Sequence, residues 1–275
     1  MQQDPLDTAI LSAKSVRLAY DQRCVADQLS LAIPKGRISV ILGANGCGKS
    51  TLLRALARLL KPTTGHILLD GRDLRSYASR ELARTLGLLP QAPNAPAGIR
   101  VWELVARGRY PHQGLLRQWS ETDEQAVRQA LANTDLSELA ERPVDELSGG
   151  QRQRVWLAMA LAQQPDVMLL DEPTTWLDIA HQFEVLELCR RLNHDQSKTL
   201  VMVLHDLNQA ARYADHLIVL KAGQVIAEGP PEHVIKPDLI ARAFGLNAVI
   251  IEDPVTATPL VVPIAGPAPT TGDPL

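Results

Sequence analysis

The chain has 275 residues, 45% of them apolar, and its 28 Lys and Arg side chains nearly balance its 31 Asp and Glu side chains. This length fits one large α/β domain or two smaller ones, and the balanced charge gives no electrostatic argument for a nucleic-acid partner. Three scattered cysteines without a CxxC pair support neither a zinc site nor a disulfide framework.

The N-terminal part of the chain predicts two kinds of strand. Val16–Tyr20 and Leu29–Ile33 alternate apolar and polar residues, as half-exposed antiparallel strands do. Ile38–Leu42 is a nearly continuous apolar run, which indicates a strand buried on both faces. The glycine-rich segment Gly43–Gly48 follows this strand, and Lys49–Leu60 then predicts a helix. A strand, a glycine-rich loop and a helix in this order are the setting that a phosphate-binding loop requires.

The segment Gly43–Thr51 matches the phosphate-loop pattern G-x-x-x-x-G-K-[ST] in full. Its glycines allow tight turns that point backbone N–H groups at phosphate oxygens, and the positive end of the following helix strengthens that field. We expect Lys49 to reach the β- and γ-phosphates of ATP and Ser50 to bind Mg²⁺ through its hydroxyl. The residues predicted to hold the nucleotide are Gly43, Asn45, Gly46, Gly48, Lys49, Ser50 and Thr51.

The remainder of the chain changes from strand to helix and back. Further strands are predicted at His66–Leu69, Thr85–Leu89, Val167–Leu170, Thr199–Leu204 and His216–Leu220, and helices at Val101–Arg107, Thr122–Asn133, Gln151–Gln163 and Ile179–Leu192. Buried strands separated by a helix imply a parallel sheet with right-handed crossovers. We therefore expect an α/β domain over 12–250, with an antiparallel β subdomain and an inserted helical subdomain at about 95–163. A Pro-rich tail at 257–275 is expected to be flexible.

Two carboxylates follow the apolar strand Val167–Leu170. Acids at the end of a buried strand are costly unless a cation or a polar site receives them. Asp171 fits the organisation of Mg²⁺, and Glu172 can act as the general base on the attacking water. Two exposed acids at a strand end would be the simpler interpretation in isolation, but the phosphate loop favours the catalytic one.

The segment Leu147–Gln151 reads Leu-Ser-Gly-Gly-Gln and precedes a predicted helix. Such a helix end can bind a second anion, with Ser148 supplying a hydroxyl, although an ordinary N-cap is the common alternative. Its position between the phosphate loop and the Asp171 strand resembles that in the ATPase domain of the ABC superfamily. The resemblance runs from Tyr20 to about Gly229 and implies the P-loop fold of that superfamily.

This resemblance implies further site residues and a second subunit. Gln91 resembles the Q-loop glutamine and His205 the switch histidine, which implies a catalytic role for both and a place for Gln91 in the metal site. Asp178 ends a segment similar to the D-loop, and Tyr20 resembles the aromatic that stacks on adenine. In isolation, each also has an ordinary structural interpretation. The family pairs its ATPase domains head to tail, so Ser148, Gly150 and Gln151 of one copy are expected to close over ATP held by the other.

One phosphate loop without a coiled coil or a fused membrane domain leaves the separate ATPase subunit of an importer. Val105–His112 resembles a segment of ATPases that serve iron–siderophore, haem and cobalamin importers. In that family the helical subdomain near this segment forms the groove that binds the coupling helix of the membrane subunit. Three further stretches, together with Trp176, are similar to the ferric enterobactin-type branch: Thr174–Gln182, His205–Ala210, and Ile251–Val255 with Pro259–Pro263.

That branch implies ATP-driven uptake of a ferric siderophore across the inner membrane. The implied assembly is a homodimer of this chain on two transmembrane permease subunits, fed by a periplasmic siderophore-binding protein and without nucleic acid. No window approaches the roughly 18 apolar residues of a membrane helix, so we expect a soluble chain held peripherally at the cytoplasmic face of that membrane. A cobalamin or haem importer, or a soluble ABC ATPase that remodels a macromolecule, are the alternatives.

Overall fold

The computed structural model describes residues 9–21, 23–91, 94–114, 119–175 and 177–265. The chain forms two compact units. The first runs to Leu74 and resumes at Val201, and the second is Arg75–Leu200. None of the helices in the described ranges is long and apolar enough to cross a membrane.

Twelve strands and nine α-helices lie within these ranges. The strands are β1 (Leu11–Tyr20), β2 (Arg23–Ile33), β3 (Ile38–Gly43), β4 (Thr64–Leu69), β5 (Arg72–Asp73), β6 (Leu86–Leu89), β7 (Val167–Asp171), β8 (Thr199–Val203), β9 (His216–Lys221), β10 (Gln224–Gly229), β11 (Ala248–Glu252) and β12 (Pro259–Pro263). The helices are α1 (Lys49–Leu56), α2 (Ser79–Thr85), α3 (Val101–Ala106), α4 (Glu121–Asn133), α5 (Gly149–Ala162), α6 (Ile179–Gln196), α7 (Leu207–Tyr213), α8 (Pro231–Val234) and α9 (Pro237–Phe244). Each predicted strand and helix is confirmed, with some ends displaced.

The first unit contains an antiparallel sheet with the strand order β2-β1-β4-β5. Leu11 lies opposite Ile33 on one side and Leu69 on the other, and all three side chains are buried. The antiparallel β region expected from the alternating pattern is therefore confirmed. The helix α1 stops short of its predicted end at Leu60, because Arg58 takes a left-handed conformation with φ 59°.

A parallel strand pair in the same unit carries the phosphate loop. All six residues of β3 are buried, which confirms a strand covered on both faces. β3 pairs in parallel with β9, with Leu42 opposite Val219, and β10 runs antiparallel along the other edge of β9. The carboxyl end of β3 therefore lies beside Leu220, where the loop begins.

His216 opens β9 with an imidazole that gives the fold a pH dependence. Its Nδ1 is fully enclosed and has no hydrogen-bond partner among the described residues. Burial, with a smaller contribution from the charge of Arg37, lowers the pKa of His216. The unfolded chain takes up this proton near pH 6.5, whereas the folded chain does so only at lower pH. The free energy of unfolding should therefore fall as the pH drops below about 6.5.

Urea unfolding at about pH 7.5 and about pH 5.5 measures this loss. The His216→Gln variant lacks the titrating group, so it should lose less stability over this range than the wild-type protein. His194→Gln alters an exposed histidine and should keep the wild-type pH dependence. An identical pH dependence in the wild-type and His216→Gln proteins would contradict this role of His216.

The second unit contains the parallel pair β6 and β7, in which Leu88 lies opposite Leu169. Helices α3, α4 and α5 pack on one another. They lie in the stretch predicted as the helical subdomain at about 95–163, and the unit is longer because it also includes β6, β7 and α6. The mainly helical character of this stretch follows from apolar side chains at helical spacing, such as Val101, Leu104 and Val105 of α3, which are buried.

The flexible tail expected from 257 onward is wrong for its first part, because Pro259–Pro263 forms β12 and pairs antiparallel with β11. The two prolines are the first and last residues of this strand. In a two-stranded sheet each strand is an edge strand, where a missing backbone N–H costs least. Asn208 of α7 also holds this strand. Its Nδ2 donates to the Val261 carbonyl oxygen at 3.2 Å, and its Oδ1 accepts from the Val261 N–H at 2.7 Å. Residues 266–275 lie outside the described residues.

Candidate functional site

The phosphate loop is held against β9 by a glycine. A Cβ at Gly43 would collide with the carbonyl oxygen of Leu220 and lie 2.6 Å from Cys47 Sγ, so a larger residue would displace the loop. The loop also turns on itself through the Cys47 N–H, which donates to the Ala44 carbonyl oxygen at 3.2 Å. Gly48, with φ 108°, then forms the N-cap of α1.

The beginning of α1 has the properties of an anion site. No side chain among the described residues caps it, and no acidic residue lies in its first turn, so the N–H groups of that turn suit a phosphate. Lys49 is 6% exposed, and its Nζ donates to the carbonyl oxygens of Gly43 at 2.8 Å and Ala44 at 3.2 Å. The loop therefore concentrates positive potential at a backbone cradle, which fits the triphosphate predicted from the sequence.

Two further predicted residues lie in the same unit. Tyr20 is the last residue of β1, and the Arg54 guanidinium lies 6.0 Å from its ring centroid. Because Arg54 is on α1, the ring lies next to the helix that begins at Lys49. His205 is exposed in the bend after β8, and the preceding Leu204 N–H donates to the Ile41 carbonyl oxygen at 3.4 Å, which fixes the bend near the carboxyl end of β3.

The second unit brings two predicted catalytic residues into contact. Asp171 is buried at the end of β7, all of whose residues are buried. Glu172 follows with a left-handed backbone, φ 53°. Its Oε2 accepts from Gln91 Nε2 at 2.5 Å and from Thr175 Oγ1 at 3.0 Å. The sequence did not mark Thr175 as a partner of Glu172, although a hydroxyl three positions after a carboxylate in a turn is a signal for such a bond.

The segment Leu147–Gln151 begins α5 with an ordinary N-cap, which is the simpler of its two interpretations. Ser148 Oγ accepts from the Gln151 N–H at 3.3 Å, and Gln151 Oε1 accepts from the Ser148 N–H at 3.1 Å. This reciprocal pair is a capping box. The nucleotide contact predicted for Ser148, Gly150 and Gln151 in a second copy stays a prediction.

The start of α6 lies against the start of α5. Asp178 caps α6, and its Oδ1 accepts from the His181 N–H at 3.0 Å and bonds the His181 ring Nδ1 at 2.7 Å. The backbone bond first, and then the ring bond, lower the pKa of Asp178. A Cβ at Gly150 would lie 2.7 Å from His181 Cδ2. The structure therefore joins Asp178 and Gly150 through His181, while Trp176 lies outside the described residues.

This packing predicts that Gly150→Ala destabilises the chain by about 1–3 kcal/mol, because the added methyl overlaps a ring that Asp178 holds in place. In a His181→Ala background the two ring contacts are removed and the tight contact with the Cβ of residue 181, at 3.3 Å, stays, so Gly150→Ala should cost clearly less than in the wild-type protein and approach neutrality. Guanidinium unfolding of the four proteins of this double-mutant cycle measures the coupling.

Gly149→Ala is the matched control for this cycle, since a Cβ at Gly149 meets no atom of the described ranges within 4 Å. It should leave the free energy of unfolding close to that of the wild-type protein. Equal effects of Gly150→Ala with and without His181 would show that the ring is not the cause.

The packed helices α3, α4 and α5 of the second unit, called the helical lobe below, also present a groove of about 870 Å³. Trp102, Glu103, Arg107, Tyr110 and Trp119 lie in its wall. Tyr110 is 61% exposed and Trp119 is 41% exposed, and the Trp102 and Trp119 ring centroids are 6.4 Å apart. Exposed aromatic side chains around a concave surface are typical of a protein-binding site. The resemblance pointed to Val105–His112, and the two tryptophans were missed although they are half of the four in the chain.

Comparison with known proteins agrees with these features. A family model described as ABC transporter matches residues 26–175. The ferric enterobactin transport ATP-binding protein FepC of Escherichia coli (strain K12) is 53% identical over 96% of this chain and 98% of its own length. The probable siderophore transport system ATP-binding protein YusV of Bacillus subtilis (strain 168) is 52% identical over 92% of each chain.

Solved structures show the same architecture. The chain is similar to a bacterial ABC transporter cassette determined as a dimer, with a TM-score of 0.71, 30% identity, and coverage of 80% of this chain and 98% of that one. A post-hydrolysis form of that cassette, bound to ADP and phosphate, has a TM-score of 0.70 at the same identity and the same coverage of both chains. The α/β fold with its antiparallel and helical parts is thereby confirmed as that of an ATP-binding cassette.

Proposed function

The chain belongs to the ABC transporter family, and we propose that it is the ATP-hydrolysing subunit of an importer that carries ferric siderophores across the inner membrane. One observation carries the choice of substrate class, namely the 53% identity over nearly the whole of both chains to a ferric enterobactin transport subunit. The glycine cradle and the buried Lys49 support nucleotide binding independently of that likeness.

The roles proposed for the phosphate loop follow from its donors. The N–H groups of the loop and of the first turn of α1, with the Lys49 ammonium, would bind the phosphates and neutralise their charge. ATP would supply the γ-phosphoryl group, and Mg²⁺ would neutralise part of the phosphate charge. Ser50, Asp171 and Gln91 carry oxygen donors of the kind that suits Mg²⁺. Tyr20 would stack on the adenine.

The roles proposed for Glu172, His205 and Asp178 are acid–base and positioning roles. Glu172 would accept the proton of the attacking water, because its carboxylate is half-buried and oriented by two donors, Gln91 and Thr175. His205 would contact the reacting phosphate. Asp178 and the Ser148–Gln151 helix end would act on ATP held by a second copy, which the dimeric state of the similar cassette supports.

The groove in the helical lobe is the proposed contact with a permease. Its aromatic wall, with Trp102, Tyr110 and Trp119, can enclose an apolar helix end, while Glu103 and Arg107 offer both signs of charge at the rim. The proposed complex contains two copies of this chain, two transmembrane permease subunits and a periplasmic siderophore-binding protein. It would place the chain at the cytoplasmic face of the inner membrane.

Growth on single iron sources tests this proposal. A strain without the gene should fail to grow on at least one ferric siderophore as its sole iron source, and the wild-type gene should restore growth where a Lys49→Ala gene does not. Haem use and cobalamin uptake are the controls and should be unaffected. Unimpaired growth on every siderophore, or a defect confined to haem or cobalamin, would reject the siderophore assignment.

A further inference from the structure

The segment Arg107–His112 forms a 3₁₀ turn that lies directly on the C-terminal end of α5. A Cβ at Gly108 would collide with the Met159 carbonyl oxygen and lie 3.1 Å from Ala162 Cβ. Gly108 therefore allows the two backbones to touch. His112 adds a polar contact, since its Nε2 lies 2.8 Å from the Gln163 carbonyl oxygen.

Arg109 makes the strongest connection in this segment. Its Nη1 donates to the Ala162 carbonyl oxygen at 2.7 Å and to Gln164 Oε1 at 2.9 Å. Its Nε donates to Asp123 Oδ1 at 3.0 Å, and the two side chains are only 3% and 0% exposed. The last carbonyls of a helix have no partner within the helix, and a cation at this end is favourable. Arg109 therefore closes the end of α5.

The acidic partner is equally constrained. Asp123 Oδ2 accepts from the hydroxyl of Ser120 at 2.7 Å and from its N–H at 3.1 Å, at the start of α4. Burial alone would raise the pKa of Asp123, but the bonds from Ser120 and Arg109 outweigh it and lower that pKa. A buried ion pair contributes little to stability compared with apolar packing, so its value here lies in the geometry that it imposes.

Two exposed residues of the segment Arg107–His112 lie in the groove wall. Arg107 and Tyr110 flank Arg109 and line the groove, while α5 continues for 14 residues to its N-cap, Ser148. A helix of this length spans roughly 21 Å. One end of a single helix therefore holds the groove wall, and the other end carries the segment assigned to the nucleotide of a second copy.

We propose that Arg109 and His112 are positioning residues that couple the groove to the Ser148 end of α5. When the bound permease displaces the groove wall, these two residues make α5 move with it as a rigid body. The inference rests on the proposed function, because it takes the groove as the permease contact. It adds a mechanical path through the end of α5 and assigns a purpose to the buried Arg109–Asp123 pair.

The test compares ATP hydrolysis by the purified chain with hydrolysis by its complex with the permease in lipid nanodiscs, with and without siderophore-loaded binding protein. Arg109→Lys loses the forked contacts but keeps the charge, and His112→Phe keeps the ring but loses the donor. Each should keep the activity of the isolated chain within about twofold while the stimulated activity falls about threefold to thirtyfold.

Two conservative variants complete the design. His112→Gln retains an N–H donor at the position of Nε2 and should retain stimulation. Arg100→Lys alters an exposed ion pair with Glu141 in the same lobe and should also behave as the wild-type protein.

The inference is overturned if Arg109→Lys and His112→Phe are stimulated normally. It is also overturned if isolated and stimulated activities fall in proportion to a lower thermal midpoint, which is the signature of a purely structural role. A wild-type complex that shows neither stimulation nor uptake would reject the proposed function, and this inference with it.

Discussion

A Glu172→Gln variant is expected to bind ATP as tightly as the wild-type protein and to hydrolyse it about 10²–10⁴-fold more slowly. Glutamine has the same shape and keeps an oxygen that can accept from Gln91 and Thr175, so the contacts seen at this residue are preserved. The amide cannot accept a proton from water, however. Binding and hydrolysis should therefore separate cleanly in this variant.

Phosphate release and calorimetric ATP binding measure the two properties side by side. Sedimentation with ATP and Mg²⁺ should also show a persistent dimer of the Glu172→Gln protein, because the closed state can no longer be relieved by hydrolysis. Glu232→Gln, at an exposed acid outside the site, is the matched control and should hydrolyse ATP normally. Full ATPase activity of the Glu172→Gln protein would remove Glu172 from the role of general base.

The Lys49→Ala substitution should weaken ATP binding by about a hundredfold or more, since it removes a buried ammonium from the phosphates. The fold should tolerate the change. Within the part of the chain that the structure describes, Lys49 Nζ bonds only carbonyl oxygens of its own loop, Gly43 and Ala44, and alanine is the best helix former. The expected result is a folded chain that has lost its nucleotide.

Thermal unfolding with increasing ATP concentration reports this loss, because a bound ligand raises the midpoint by mass action. The midpoint of the Lys49→Ala protein should respond only at much higher ATP concentration. Lys61→Ala removes an exposed lysine shortly after α1 and should respond as the wild-type protein does. An unchanged ATP affinity in Lys49→Ala would mean that the phosphates are held elsewhere.

The phosphate loop could be predicted from the sequence because its determinants are local. A buried strand, a glycine-rich turn, Lys49 and a helix start follow one another within a short stretch, and each has a recognisable pattern. The contact between Gln91 and Glu172 joins residues 81 positions apart, so no local pattern contains it. The resemblance named both residues, but only the fold shows that one orients the other.

The features that the sequence does not predict depend on contacts between residues far apart in the chain, or on patterns that fit two interpretations equally well. Trp102 and Trp119 come together across α3 and a loop, which spacing alone does not indicate. Pro259 and Pro263 favour irregular chain locally, and the contacts of Asn208 with Val261 override that preference. The sequence fits Ser148 both as an N-cap and as an anion contact, and the structure shows the N-cap within one copy.

At Glu172 the left-handed backbone lowers the stability of the fold, whereas the side chain is required for the proposed activity. With φ 53°, a residue with a Cβ costs roughly 1 kcal/mol or more in comparison with glycine. Replacement by glycine would relax the main chain and remove the Glu172 carboxylate. A chain selected for folding alone would therefore carry glycine there, and thermostability screens of this protein should enrich variants that no longer turn over ATP.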